Sequence, residues 1–300
     1  MELVTTILID GLIDASWIFI VAVGLTLIFG VLNILNIAHG NFYAIGAYAA
    51  ANAVGIYYSG SEAYPPMLGL VAMTVAALAV AVVLGPLLER GLLRFFYHRD
   101  EIVLVLVTYA LFLILEDATK LIWGVNPYYA YEPYSLFGTV SIGKLDYVGY
   151  DFFLIGLAVV IGILLWLGLN RTRSGKVVLA VIHDREMSSA AGVNVTKIFV
   201  ISFTIGVFLA ALGGAFTAPK ISVQPGLAVM VVLFSFAVAV IGGLGSIEGA
   251  AIASLIVGIA RALAIHLAPW AELFIVYLAM ALMLAVRPQG IFSPTALRKI

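Results

Sequence analysis

Asn33, Asn36 and His39 recur at steps of three in the otherwise apolar stretch FGVLNILNIAHGNFYAIGAYAA, and Asn41 follows directly after Gly40. On a 3.6-residue helix a step of three turns a side chain by about −60°, so these three predict one polar stripe roughly 120° wide. Two carboxamides and an imidazole offer hydrogen-bond donors and acceptors to a polar solute. They supply no activated nucleophile, and a lone histidine makes no metal site. The Gly40–Asn41 pair predicts a break between two helices, and broken helices are one way to hold a solute inside a bilayer. The same groups would equally serve to cap and glue neighbouring helices.

A second set of ionisable residues is Glu116, Asp117 and Lys120, in LILEDATKLIWG. Glu116 and Lys120 stand at i,i+4 in the favourable order and predict a neutralising pair. Glu116 lies about 21 Å along its helix from Ile102 at 1.5 Å per residue, at the edge of the hydrocarbon, so it predicts either a structural ion pair or a vestibule lining. Arg261 and His266 are expected to be able to pair with these acids, and Gln224 is a further candidate for a solute path. Ser235, Ser246, Ser254 and the four histidines show no nucleophile–base spacing, and the chain has no cysteine, which excludes thiolate chemistry and disulfides. The glycine-rich run IGGLGSIEGAAIASLIVGIARA (241–262) has no lysine after its glycines, and GxxxxGK[ST] occurs nowhere. It predicts a tight turn and close helix packing rather than a phosphate cradle.

The elements that must position these residues follow from composition. Hydrophobic residues make up 64% of the chain and charged residues 10%, far from the averages of globular domains. Residues 1–300 therefore read as a single polytopic, all-helical transmembrane domain. The near-zero net charge of −1 gives no sign of nucleic-acid binding. Apolar runs near 5–32, 40–58, 66–88, 102–123, 152–169, 198–218, 227–243, 248–266 and 270–286 predict eight or nine spans. The first lacks the basic flank and cleavage site of a signal peptide and is expected to remain in the mature protein. Spans one and two around Asn33–Gly46 and spans seven and eight around Gly242–Gly249 are weakly alike, which suggests an internal repeat.

Charge orients the spans. The 89–101 loop holds Arg90, Arg94 and Arg99, the 170–197 loop holds Arg171, Arg173, Lys176, Arg185 and Lys197, and the tail adds Arg287, Arg298 and Lys299. The 124–151 loop holds Lys144 against Glu132, Asp146 and Asp151. The positive-inside bias places the basic segments and the C-terminus in the cytoplasm, and the N-terminus and the 124–151 loop outside. That outer loop is rich in tyrosine, which reads either as an interfacial aromatic belt or as a docking face. The mixed-charge island at 170–197, between two apolar runs, must meet something in the cytoplasm. Its middle, Lys176–Ala191, predicts a short helix.

Taken together, GLTLIFGVLNILNIAHGNFYAIGAYAA (24–50), NRTRSGKVVLAVIHDREMSSAAGVNV (170–195) and VIGGLGSIEGAAIASLIVGIARAL (240–263) resemble the integral-membrane subunits of branched-chain amino acid ABC importers. The likeness runs over nearly the whole chain in the same order. It implies a multi-pass permease of a prokaryotic cytoplasmic (inner) membrane, without cofactor or metal, whose ATP hydrolysis resides on other subunits. The implied partners are two cytoplasmic ABC ATPase subunits, a second related permease and an extracytoplasmic solute-binding protein. The resemblance makes the island the ATPase-coupling segment, with Gly175, Asp184, Arg185, Glu186, Ala190, Ala191 and Gly192 as its coupling residues. The substrate path is expected to use Asn33, Asn36, His39, Asn41, Gln224 and Glu116. The chain departs from the family pattern at Phe234, where a lysine is common, and in the charges of Glu116, Asp117 and Lys120. A self-sufficient secondary transporter or channel for urea or a short amide is the alternative, with Glu116 and Asp117 as its coupling acids.

Overall fold

The computed structural model describes residues 2–59, 65 and 67–292. Arg298 and Lys299 of the basic tail lie outside the described residues. Helices form at each of the nine apolar runs: α1 (Glu2–Leu32), α2 (His39–Ser59), α3 (Met67–Gly91), α4 (Glu101–Trp123), α5 (Gly149–Arg171), α8 (Val195–Thr217), α9 (Leu227–Gly242), α10 (Ile247–Leu267) and α11 (Glu272–Val286). Two short helices, α6 (Arg173–His183) and α7 (Arg185–Ala190), lie between α5 and α8. Among the described residues seven helical segments are long and apolar enough to cross a membrane. The stretch 39–59 is not one of them, being diluted by asparagine, glycine and tyrosine, and α9 is too short at 16 residues.

α1 and α8 form the centre. α1 is apolar on every side, so it gains from contact all round, and it packs on α8, α9, α10 and α5. Small residues let the backbones close in. A Cβ on Gly24 would meet the Gly206 carbonyl at 2.8 Å, and one on Gly206 would meet the Gly24 carbonyl at 2.9 Å, which brings α1 and α8 into direct backbone contact. α3, α4, α5 and α11 surround this core and expose apolar side chains such as Val83, Ile122, Leu164 and Leu282. Such a surface is stable only against lipid or other protein.

The 124–151 segment is not a plain loop. β1 (Thr139–Ile142) and β2 (Leu145–Val148) pair antiparallel, with Gly143 in the left-handed region at φ 66° at their turn. An isolated bridge between Tyr128 and Val223 ties the segment to the linker after α8. Its aromatic residues divide into two groups. Tyr134, Phe137 and Tyr150 pack among Phe153 and the neighbouring core. Tyr129 and Tyr131 stack on each other and stay exposed.

Candidate functional site

The chain leaves the helix at Asn33, earlier than its glycines suggest. Asn33 takes φ 57°, a left-handed conformation that asparagine tolerates better than most residues. Residues 33–38 are not helical, and α2 begins at His39. The predicted break at Gly40–Asn41 therefore falls inside α2, and Asn33, Asn36 and His39 do not share one helical face. Gly40 instead serves packing: no Cβ would fit there against the Ala228 carbonyl and Val232 of α9.

The break runs back into the bundle. His39 Nε2 donates to the carbonyl of Val21, 2.9 Å away and three turns before the end of α1. The Thr108 hydroxyl of α4 accepts from the Ile37 amide at 3.3 Å and lies 3.1 Å from the Leu35 carbonyl. The Asn41 side-chain amide donates to the Phe112 carbonyl at 3.2 Å. Thus α4 braces a non-helical segment whose backbone would otherwise lack partners.

The bracing is incomplete. Asn36, His39 and Asn41 are fully buried, yet among the described residues both amide atoms of Asn36, Nδ1 of His39 and Oδ1 of Asn41 have no hydrogen-bond partner. A carbonyl only accepts, so the proton facing Val21 sits on Nε2, and Nδ1 is left as a bare acceptor. Each unpaired buried polar group costs about 1–3 kcal/mol. These unpaired groups concentrate around the start of α2.

The remaining path candidates lie elsewhere. Gln224 is exposed on the linker between α8 and α9. Glu116 accepts from the Gly226 amide at 2.9 Å, where Gly226 precedes the first turn of α9. Its carboxylate thus meets the positive end of that helix, with Lys120 at 3.9 Å and Lys120 in turn 3.2 Å from Asp117. Asn33 is exposed at the other end of the bundle. Arg261 and His266 do not pair with these acids. Arg261 joins Asp14 at 2.6 Å and Glu272 at 2.7 Å, while His266 meets Asp10 at 2.7 Å. Helix α10 packs on α1 and α11, so its late charges find carboxylates there. Arg261 also lies over the ring of Phe234, 5.3 Å from its centroid.

The 170–197 island folds as two helices rather than one. Asp184 is extended, at φ −152° and ψ 102°, and its side chain accepts from the Met187 amide at 2.8 Å, so it ends α6 and caps α7. Val178, Val181 and Ile182 of α6 pack into the core while Lys176, Ala180 and His183 face out. Gly175 is buried in backbone contact with the end of α5. Glu186, Met187, Ala190, Ala191 and Gly192 are exposed, and Gly192 takes φ 85° to end α7. A cleft of about 580 Å³ separates α6 and α7 from the end of α1 and the start of α4.

Sequence reading missed what lies behind α7. The guanidinium of Arg185 turns inward: Nη2 donates to the carbonyl of Leu32 at 3.3 Å, and the group sits over the ring of Phe199 at 4.5 Å. Tyr97 packs edge-on against the same ring, and its hydroxyl donates to the fully buried Glu89 at 2.8 Å. Burial, and then Glu89 itself, raise the Tyr97 hydroxyl above its ordinary range, so it stays a donor. An acid in the last turn of α3, next to Arg90, reads as a solvated charge in sequence, and no local signal distinguishes it.

Comparisons with known proteins agree with this architecture. Residues 7–286 match the model of the branched-chain amino acid transport system permease component family. The high-affinity branched-chain amino acid transport system permease BraD of Pseudomonas aeruginosa is 26% identical over 309 residues, covering 98% of this chain and 97% of that protein. LivH of Escherichia coli K12, a permease of the same designation, is 26% identical over 301 residues, covering 97% and 96%. A probable LivH from Methanocaldococcus jannaschii is 24% identical over 267 residues, covering 86% and 80%.

Proposed function

Because the chain belongs to the family of permease components of branched-chain amino acid transport systems, we propose that it conducts branched-chain or related small amino acids as the membrane subunit of an ABC importer. It works with ATPase subunits and a solute-binding protein. The full assembly contains two ATPases, one at each of two paired permeases, the second permease being a related chain. By the positive-inside bias, the segments that carry Arg90, Arg94, Arg99, Arg171, Arg173, Lys176, Arg185, Lys197 and Arg287 face the cytoplasm in this reading. The hairpin end, with Tyr129 and Tyr131, faces the binding protein.

The observation that carries the reading is the outward tip of α7. Glu186, Met187, Ala190, Ala191 and Gly192 stand exposed at the basic end, and Met187 is 67% accessible. A short helix with small residues and one flexible apolar side chain suits insertion into a groove of a partner protein. Movement of that partner on ATP binding shifts α6 and α7, and the permeases rock about their interface. Solute passes from Gln224 and Glu116 at the outer mouth towards Asn33 at the inner one. Asn36, His39 and Asn41 become available when the break rearranges. An apolar amino acid needs few polar contacts on the way.

The test is uptake in cells carrying the complete system, comparing wild type with Ala190→Trp. Loss of uptake with normal membrane insertion, together with loss of the ATPase from the purified complex, is the expected result. ATP-independent uptake that Ala190→Trp leaves intact would sink the importer reading.

A further inference from the structure

The residues of α7 do not all face the same way: Ser188 is its buried residue, and Arg185, though exposed overall, turns its guanidinium inward. Its neighbours Glu186 and Met187 point outward, whereas its guanidinium reaches back across the cleft to the last turn of α1. Three features meet at that point. Leu32 supplies one of the carbonyls that a helix end leaves without an internal partner, and a cation there also favours the negative end of the helix dipole. The left-handed Asn33 comes next, followed by the non-helical run to Ala38. That run leads to the unpartnered atoms of Asn36, His39 and Asn41.

We propose that Arg185 is a positioning residue for transport rather than an ATPase-docking residue: its bond to Leu32 carries displacement of α7 to the α1–α2 break inside the bundle. The proposal rests on the reading of α7 as the ATPase contact. Arg185 is the first residue of a helix only six residues long, capped by Asp184, so α7 cannot shift without moving it. Phe199 in the first turns of α8 fixes the guanidinium plane, and Tyr97 and Glu89 in turn back the Phe199 ring. The guanidinium belongs to a side chain that is exposed overall, and these rings hold it on one side. At the far end, a segment with four unpaired buried polar atoms has little to hold it against an arrangement in which those atoms find partners. Thr108 holds its backbone at Leu35 and Ile37, and Arg185 holds the last carbonyl of α1 just before it. Release of Leu32 therefore frees the inner half of the break while Thr108 keeps the rest in register.

The experiment uses the complete transporter in liposomes, with solute moved per ATP hydrolysed and the ATPase content of the purified complex as readouts. Arg185→Gln is expected to keep its ATPase subunits while solute moved per ATP falls about tenfold, the equilibrium worth of one hydrogen bond to a charged group. Arg185→Lys is expected to recover a large part of that loss, because an ammonium also reaches the Leu32 carbonyl. Wild-type coupling in Arg185→Gln, or loss of the ATPase from that variant, overturns the proposal. An equal loss in Arg185→Lys assigns the effect to stacking on Phe199 and overturns it as well. A wild-type complex that contains no ATPase instead defeats the underlying importer reading, so the two failures are distinguishable.

Discussion

Residue chemistry in this protein turns on polar groups placed where water does not reach. Asn36, His39 and Asn41 were recognisable in the sequence because asparagine and histidine are conspicuous in an apolar run. The partners of His39 and Asn41 were not, since Val21 and Phe112 are ordinary residues of other helices. Glu89 shows the converse, an acid that looks solvated in sequence and is buried beneath Tyr97. Tyr97→Phe removes its hydrogen-bonding partner and is expected to destabilise the purified protein by about 1–3 kcal/mol. The double change Tyr97→Phe with Glu89→Leu should recover much of this, read as the thermal midpoint in detergent. Gly40→Ala sets a methyl against the Ala228 carbonyl, and about 1–3 kcal/mol of overpacking is expected in the same assay.

Elements followed the sequence closely where apolar length decided them and less closely where side chains did. Nine apolar runs became nine helices, because a hydrocarbon environment leaves the backbone few alternatives. The island between α5 and α8 divides at Asp184, a residue whose carboxylate competes with helix continuation by capping the next helix. Asp184→Ala is expected to cost α7 about 1 kcal/mol and to let α6 and α7 run together. Hydrogen exchange would show this as altered protection across residues 184–190 with the core unaffected. The β1–β2 hairpin was invisible against the tyrosine content of its segment. Tyr129→Ala with Tyr131→Ala, removing the exposed stacked pair, is expected to leave the fold intact. It should weaken stimulation of ATP hydrolysis by the loaded solute-binding protein.

At the scale of the whole molecule, the charge asymmetry predicts direction. Lys144 lies in the hairpin turn and Met187 on α7, at opposite ends of the bundle. The native chain has no cysteine, so single cysteines at these positions report sidedness without background. Lys144→Cys is expected to react with a membrane-impermeant maleimide from outside intact cells, and Met187→Cys only after the cytoplasmic face is opened. The reverse pattern would invert the topology. Arg261 joins Asp14 of α1 and Glu272 of α11 to α10. Arg261→Met leaves two carboxylates without their cation and is expected to lower stability by about 3 kcal/mol or more. A shift of the unfolding midpoint, or failure of the chain to accumulate in the membrane, would register that loss.

The class of the protein, its helices, its charge asymmetry and its family were all determined by the sequence alone. Each depends on composition or on order along the chain, which a reader sees without coordinates. What the tertiary structure decided is which distant groups meet. Arg185 finds Leu32 across 153 positions, and Glu116 finds Gly226 across 110. Arg261 turns to Asp14 and Glu272 instead of Glu116. No periodicity encodes such pairings. They follow from how small residues let α1, α2, α8 and α9 close upon one another, and from where the α1–α2 break must go once they have done so.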